Sequence, residues 1–236
     1  MDYQTMDYGL WTIDYITKFG SHTITYDSLT TLIEAHYLPC IAYFAALDRA
    51  DEIVLEKHEY YVKQSYRNRC HIISARGKET LIIPLTSKHG KVYISEVRID
   101  YSQKWLNNHW RTIRSAYGNA PFFEHYADEL ERCLFRRTTF LYDLTHDLLS
   151  MCLKWLNWGK VIKETEKFEK TAPTPVLDLR AAINAKDDGN LSRFYLPITY
   201  RQVFGNTFAA NASVIDLVFC TGPEASKIIR ASVAQK

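Results

Sequence analysis

Glycine is scarce in this chain, with nine in 236 residues, and none of them falls into a GxGxxG or phosphate-cradling loop. A nucleotide site built from the backbone amides of a glycine-rich loop is therefore not expected, and charged or aromatic side chains would have to carry the binding instead. The GxSxG nucleophile elbow and the HExxH zinc motif are missing as well. Five cysteines occur, Cys40, Cys70, Cys133, Cys152 and Cys220, and the nearest neighbours are Cys133 and Cys152, far from the short pairs of zinc or dithiol sites. An odd, scattered set suits a reducing cytosol. No run approaches the ~18 apolar residues of a membrane span, and MDYQTMDYGLWTIDY is acidic where a signal peptide needs Lys or Arg. These features give a cytoplasmic expectation. Lys and Arg exceed Asp and Glu by only 29 to 27, a formal charge of +2, so the summed field is too weak to steer the molecule onto a polyanion. Nucleic acid is not an expected partner, and anion binding must be local.

What is present is globular: 47% of residues are hydrophobic, enough for a sizeable core. Residues 1–30 are polar without a sustained period, which predicts a tail or loosely docked extension. Residues 31–236 then read as a single α/β domain, a mixed β-sheet with about three helices packed beside it over 103–158. IAYFAALDRAD predicts a short helix after Pro39, and EIVLEK a buried strand. RCHIISARGKETLIIPL predicts a hairpin turning through Gly77. VYISEVRID alternates, with Val92, Ile94, Val97 and Ile99 inward. From Gln103 the period becomes helical, placing Trp105, Leu106, His109, Trp110, Ile113 and Tyr117 on one face. PFFEHYADELERCL and TTFLYDLTHDLLSMCLKWLNW predict two more helices, the second capped by Thr138 or Thr139. VIKET and VLDLR read as short strands, AKDDGN as a turn, and Ser213 to Cys220 as a helix before the Gly222 and Pro223 break and a last amphipathic helix.

Glu56 to Arg69 is the densest chemical segment. If extended, Lys63, Arg67 and Arg69 share one side, where they could hold a diphosphate, Arg through bidentate forks and Lys as a point charge. Glu56, at the end of a buried strand, is placed to act as acid or base at the sheet edge. A solvated edge with weak Glu–Lys pairs accounts for the same spacing, and interleaved basic and aromatic residues would also suit RNA. His109, between Trp105 and Trp110, reads as a satisfied core histidine or as a general base at a cleft. His36, ahead of YLP, fits a turn or packing role. Cys70 fits a small buried hydrophobe, with an activated thiol as the alternative. Phe122, Phe123, Tyr117 and Tyr126 suit helix packing. Tyr200 and Gln202, in YRQVF, reach a cleft only if the C-terminal segment folds back.

EAHYLPCIAYFAAL, EIVLEKHEYYVKQSYRNRCHI, LIIPL, SEVRID and WLNNHWRTIRSAYGNAPFFEHY, in that order, and then YRQVFGNTFAANASVIDLVFCTGPEA, resemble the WbqC-like protein family of bacteria. The resemblance spans about Leu32 to Ala225, and its motifs are specific only in combination. It implies a role in O-antigen or other surface-polysaccharide synthesis, with transfer of an aminoacyl or acyl group, such as glycine, to an amino sugar. Implied partners are a nucleotide-linked or lipid-linked sugar and other glycan-synthesis proteins. An activated acyl or aminoacyl donor is needed, and no cofactor or metal is evident. The matching polar positions are Glu56, Lys63, Asn68, Arg69, His109, Tyr117, Gln202 and Asp216. Among these, His109 and Glu56 are the expected catalytic groups. Lys63, Arg67, Asn68, Arg69, Tyr117 and Gln202 are the expected substrate-binding groups. Where the family's common form has Gln-Pro ahead of YLP, this chain has Glu34, Ala35 and His36. A non-catalytic protein that holds a sugar diphosphate in the same pathway is the alternative.

Overall fold

The structure, a computed structural model, describes residues 12–17, 20–25, 29–86, 90–185, 191–205 and 207–234. Its strands are β1 (Thr12–Thr17), β2 (Gly20–Thr25), β3 (Thr30–Ile33), β4 (Glu52–Leu55), β5 (Arg69–Ser74), β6 (Gly77–Ile82), β7 (Val161–Glu164) and β8 (Leu177–Asp178). Its α-helices are α1 (Ile41–Leu47), α2 (Trp105–Tyr117), α3 (Phe123–Phe135), α4 (Leu141–Trp155), α5 (Val214–Thr221) and α6 (Ala225–Ala231). The class is α/β. One four-stranded sheet, in the order β7-β4-β3-β8, is parallel throughout, while β5 with β6 and β1 with β2 form separate antiparallel pairs. The β1–β2 hairpin lies in the segment expected to be a tail, whose polar, aperiodic sequence gave no strand signal. The AKDDGN turn lies largely outside the described residues.

Numbered by their appearance in the chain, the parallel strands run third, second, first, fourth across the sheet. That order reverses direction between β3 and β8, and in open α/β sheets such a reversal leaves a crevice at the carboxyl ends of the strands. All four carboxyl ends point to the same edge because every pairing is parallel. The interior is apolar, with Ile33, Ile53 and Leu55 fully buried, as expected for strands covered on both faces.

The β5–β6 hairpin pairs Ser74 with Gly77, whose φ of 93° only glycine adopts without strain. VYISEVRID departs from the expected strand. Ile94–Glu96 form a 3-10 turn, which carries residues three apart to the same side. Ile94 and Val97 both bury by this route. Helix α4 starts beyond the expected threonine cap, with Phe140 at the N-cap position and no side-chain cap. Phe140 is bridged to Arg98, and the Leu141 amide donates to the Val97 carbonyl, so tertiary pairing sets the boundary.

Phe219 of α5 joins the helices to one another. Its fully buried ring lies 5.4 Å from Tyr117 of α2, 5.1 Å from Phe123 of α3 and 6.3 Å from Trp155 of α4. Just beyond α5, Gly222 adopts φ 54° and ψ −126°, and a Cβ there would stand 2.5 Å from Phe122 Cδ1. Gly222→Ala combines backbone strain with a clash against a packed ring. It should destabilise the protein by about 1–3 kcal/mol in urea unfolding, and an unchanged midpoint would refute this packing.

Candidate functional site at the carboxyl edge of the parallel sheet

Each strand of the parallel sheet delivers polar residues where its apolar run ends. Glu34 follows β3, Glu56 follows β4, Thr165 follows β7, and Asp178 closes β8 with Arg180 two residues on. Glu34 and Glu56 are each 1% exposed. Carboxylates buried this deeply must be paired and hydrogen-bonded, and both are.

Glu34 Oε2 accepts the Ala181 amide at 3.0 Å, and Oε1 lies 3.2 Å from His36 Nε2 and 3.7 Å from Arg67 Nη2. Burial pushes the Glu34 carboxyl up, but the His36 hydrogen bond and the Arg67 charge outweigh it and hold it below its ordinary range. His36 is fully buried, and burial lowers its pKa despite the neighbouring carboxylate. Burial thus favours the neutral imidazole. An ionised Glu34 can only accept, so the proton sits on Nε2 and Nδ1 carries a lone pair. That Nδ1 is buried with no hydrogen-bond partner.

Glu56 Oε1 accepts from the His58 amide and the Thr165 hydroxyl, both at 2.8 Å, and Oε2 accepts from Arg180 Nη1 at 2.9 Å. Arg180 also donates to Asp178, with Nη2 2.6 Å from Oδ2, and to the Glu169 carbonyl at 2.8 Å. Its guanidinium lies under the Phe168 ring, 5.2 Å from the centroid. One arginine thus joins the ends of β4 and β8 to the β7–β8 connection, and the next residue, Ala181, bonds Glu34.

The segment opened by Tyr61 is not extended. Residues 63–68 form turns, with Gln64 at φ 57°, so alternation does not place Lys63, Arg67 and Arg69 together. Arg67 turns inward to a bidentate pair with Glu59, Nε at 2.6 Å from Oε1 and Nη2 at 2.7 Å from Oε2. Its charge is already matched. Lys63 is exposed, Asn68 is buried with Nδ2 donating to the Ile83 carbonyl at 2.8 Å, and its Oδ1 has no partner. Arg69 keeps a buried Nε without an acceptor.

His109 sits on the core face of α2. Its Nδ1 accepts from the Tyr37 hydroxyl at 3.0 Å, and its ring meets Trp105 edge-on at 5.0 Å. Burial lowers its pKa from 6.5 to about 4, against a hydrogen bond to the Ile82 backbone that raises it. Tyr37 neighbours His36, so His109 reaches the carboxyl edge through that tyrosine. Tyr117 and Gln202 belong to a different buried group. The Tyr117 hydroxyl accepts the Ile73 amide at 3.0 Å, and Gln202 Nε2 donates to Asp216 Oδ2 at 2.9 Å beside the Tyr200 hydroxyl. Burial pushes the Asp216 carboxyl up, against hydrogen bonds from Tyr200, Gln202 and Tyr117 that lower it. The C-terminal segment does fold back, onto α5. Cys70 is buried and burial pushes its thiol up, the state of a small hydrophobe.

The loop from Glu34 to Cys40 is held in an unusual shape. Leu38 adopts φ 43° and Ala181, beyond β8, adopts φ 59°. Strain of about 1–3 kcal/mol at a non-glycine residue persists only when surroundings over-determine it, and it clusters at functional sites. The Ser213 hydroxyl bonds the Leu38 carbonyl at 2.8 Å. Asn211 Oδ1 accepts the Ala42 amide at 2.9 Å, and the Ala212 carbonyl accepts the Ile41 amide at 3.0 Å. These contacts occupy the first amides of α1, where nucleotide-binding sheets seat a phosphate.

These groups define an α/β protein whose parallel sheet carries buried carboxylates and a buried histidine at its carboxyl edge, where nucleotide-binding sheets have a phosphate-binding turn. The chain belongs to the WbqC-like protein family, whose model matches residues 34–192. The match includes every group of the carboxyl edge and ends before Gln202 and Asp216. No curated protein and no solved structure matches the chain. Among the described residues no helix is long and apolar enough to cross a membrane, and no His, Cys, Asp and Glu cluster suits a metal ion.

Sequence reasoning noted Glu34 only as part of the departure ahead of YLP, gave His36 a turn or packing role, and singled out neither Asp178 nor Arg180. The signal for the last two was the alternation in VLDLR, which puts them on the same side of a short strand. Breaking a buried ion pair costs about 3–5 kcal/mol because it leaves one charge uncompensated, whereas exposed pairs contribute under about 1 kcal/mol. Glu59→Ala should therefore destabilise the protein by about 3–5 kcal/mol, while Glu79→Ala, which releases exposed Arg76, should change it by under about 1 kcal/mol. Equal losses in urea titrations would contradict the assignment. His109 gives a pH signature. Its folded pKa lies below its unfolded one, so the unfolded state binds the extra proton and stability falls as pH drops from 6.5 toward about 4. His109→Gln should flatten that slope by one proton, and an unaltered slope would place the titration elsewhere.

Proposed function

We propose that this chain is a transferase of surface-polysaccharide synthesis that moves an acyl or aminoacyl group onto the amine of an amino sugar at the carboxyl edge of the sheet. One observation carries the reading. His36 is fixed through Nε2 by Glu34 at 3.2 Å, with Nδ1 buried and unpartnered, and its burial favours the neutral imidazole. A base oriented by a third group is the arrangement that general-base catalysis requires. The net charge of the edge supports an amine acceptor, because Glu34, Glu56, Glu59 and Asp178 outnumber Arg67 and Arg180. Membership of the WbqC-like family supports the pathway.

In this reaction the acceptor nitrogen attacks the donor carbonyl, the C–N bond forms, and the donor's leaving group departs with its electron pair. His36 Nδ1 takes the amine proton. Asn68 Oδ1 accepts a hydrogen bond from the acceptor, and Lys63 meets phosphate outside the edge. Glu56 and His109 act as positioning residues, Glu56 by holding Arg180 and His109 by holding Tyr37 beside His36. Tyr117 and Gln202 brace α5 through the Asp216 group. The full enclosure of His36, 0% exposed, favours a second reading in which the chain holds a sugar diphosphate without turnover.

Incubation with nucleotide-linked and lipid-linked amino sugars and activated acyl donors should give a mass shift on the sugar. His36→Gln should lower the rate by about 10²–10⁴ while substrate affinity is retained. Undiminished turnover in that variant removes His36 as the base, and binding without any mass shift establishes the second reading.

A further inference from the structure

The three arginines around the carboxyl edge differ in one respect. Arg67 and Arg180 have carboxylate partners at 2.6–2.9 Å. Arg69 has no ion pair among the described residues, and its Nε is shut off from water without an acceptor. Folded proteins rarely leave a buried donor unanswered, and a bound ligand is one source of the acceptor that such a donor needs.

The surroundings of Arg69 suit such a ligand. The β5–β6 register sets Arg69 opposite Ile82 and His71 opposite Thr80, and residues two apart on a strand share a face. Arg69 and His71 are both half-buried, so the face is neither sealed nor fully solvated. Burial raises the Tyr61 hydroxyl pKa and the nearby Arg69 and Arg67 charges oppose it, and of those two arginines Arg67 is paired with Glu59. Tyr66 connects this face to the proposed base, with its ring 5.6 Å from His71 and 5.4 Å from His36. Ile82, 45% exposed, adds an apolar rim.

We infer that Arg69 anchors an oxyanion subsite on the β5–β6 face, where its guanidinium takes a phosphate or carboxylate group beside Tyr61 and His71. A planar guanidinium offers paired donors to either group, and the half-buried state of Arg69 leaves part of the residue open to solvent. Assigning the oxyanion to the donor or acceptor rests on the transferase reading, but binding is measured without turnover. Intact anion binding with no transfer therefore sinks only the reaction, and transfer with no effect of Arg69 sinks only the subsite.

Calorimetric titration of the full chain with inorganic pyrophosphate and, separately, with succinate tests it. At least one should bind, and Arg69→Gln should weaken that binding at least about tenfold, while Arg76→Gln leaves it unchanged. Preference for pyrophosphate identifies a phosphate-bearing ligand, and preference for succinate a carboxylate-bearing one. Failure of both to bind, or equal binding by Arg69→Gln, overturns the proposal. If Arg69→Gln does not fold, phenylglyoxal labelling of the wild-type chain decides. The tighter anion should suppress the Arg69 adduct, and an unchanged adduct yield counts against the subsite.

Discussion

The carboxylate of Glu34 is the group on which the carboxyl edge depends. It stands where β3 runs out of apolar residues, and its two oxygens meet a histidine from its own loop, an arginine from the 63–68 turns and an amide beyond β8. Removing that charge would leave Arg67 with one carboxylate and His36 with no acceptor, and it would release the strained Ala181. Deep burial makes the arrangement an all-or-nothing affair, since an unanswered charge in low dielectric is far more costly than an unmade surface pair. The same carboxylate lies 3.2 Å from His36 Nε2 and so orients the ring, while Nδ1 stays without a partner.

Two devices that commonly make a parallel sheet bind nucleotides are replaced here. Glu34, Ala35 and His36 stand in the first turn after the first parallel strand, and the N-terminus of α1 is occupied by Asn211 and Ala212. With those amides bonded and no glycine-rich turn present, the backbone here forms no phosphate cradle. Arg69, on the β5–β6 hairpin, has no ion pair among the described residues. A substrate with an amine at one end and an oxyanion at the other would match the edge carboxylates and that arginine.

Much of the fold was legible because periodicity is a local property. Trp105, His109, Ile113 and Tyr117 mark a helix face by spacing alone, and Ile53 and Leu55 mark a buried strand. Gly77 marks its hairpin for the same reason. Boundaries set by distant partners were not legible, as at Phe140, where a bridge to Arg98 fixes the start of α4. The site was legible in part. Glu56 stood out because it ends an apolar run, but the partner that occupies it, Arg180, lies 124 positions away. Arg67 looked like a free cation because the turns that carry it to Glu59 have no signature in YVKQSYRNRC. Glu34 and His36 were visible as a departure from the family form, and only their contacts give that departure a chemical meaning.

The cap on α1 also bears on how the chain comes to be folded. Asn211 reaches Ala42 across 169 positions, and Ser213 reaches Leu38 across 175. Contacts so far apart in sequence are slow to form, because loop-closure entropy opposes them until most of the intervening chain is in place. The β3–α1 loop leaves the ribosome long before Asn211 and Ser213, yet its final shape waits for them. Translation can therefore complete the parallel strands, the hairpin and three helices while the β3–α1 loop is still unfinished, and the final form of the carboxyl edge arises only after those two residues have emerged.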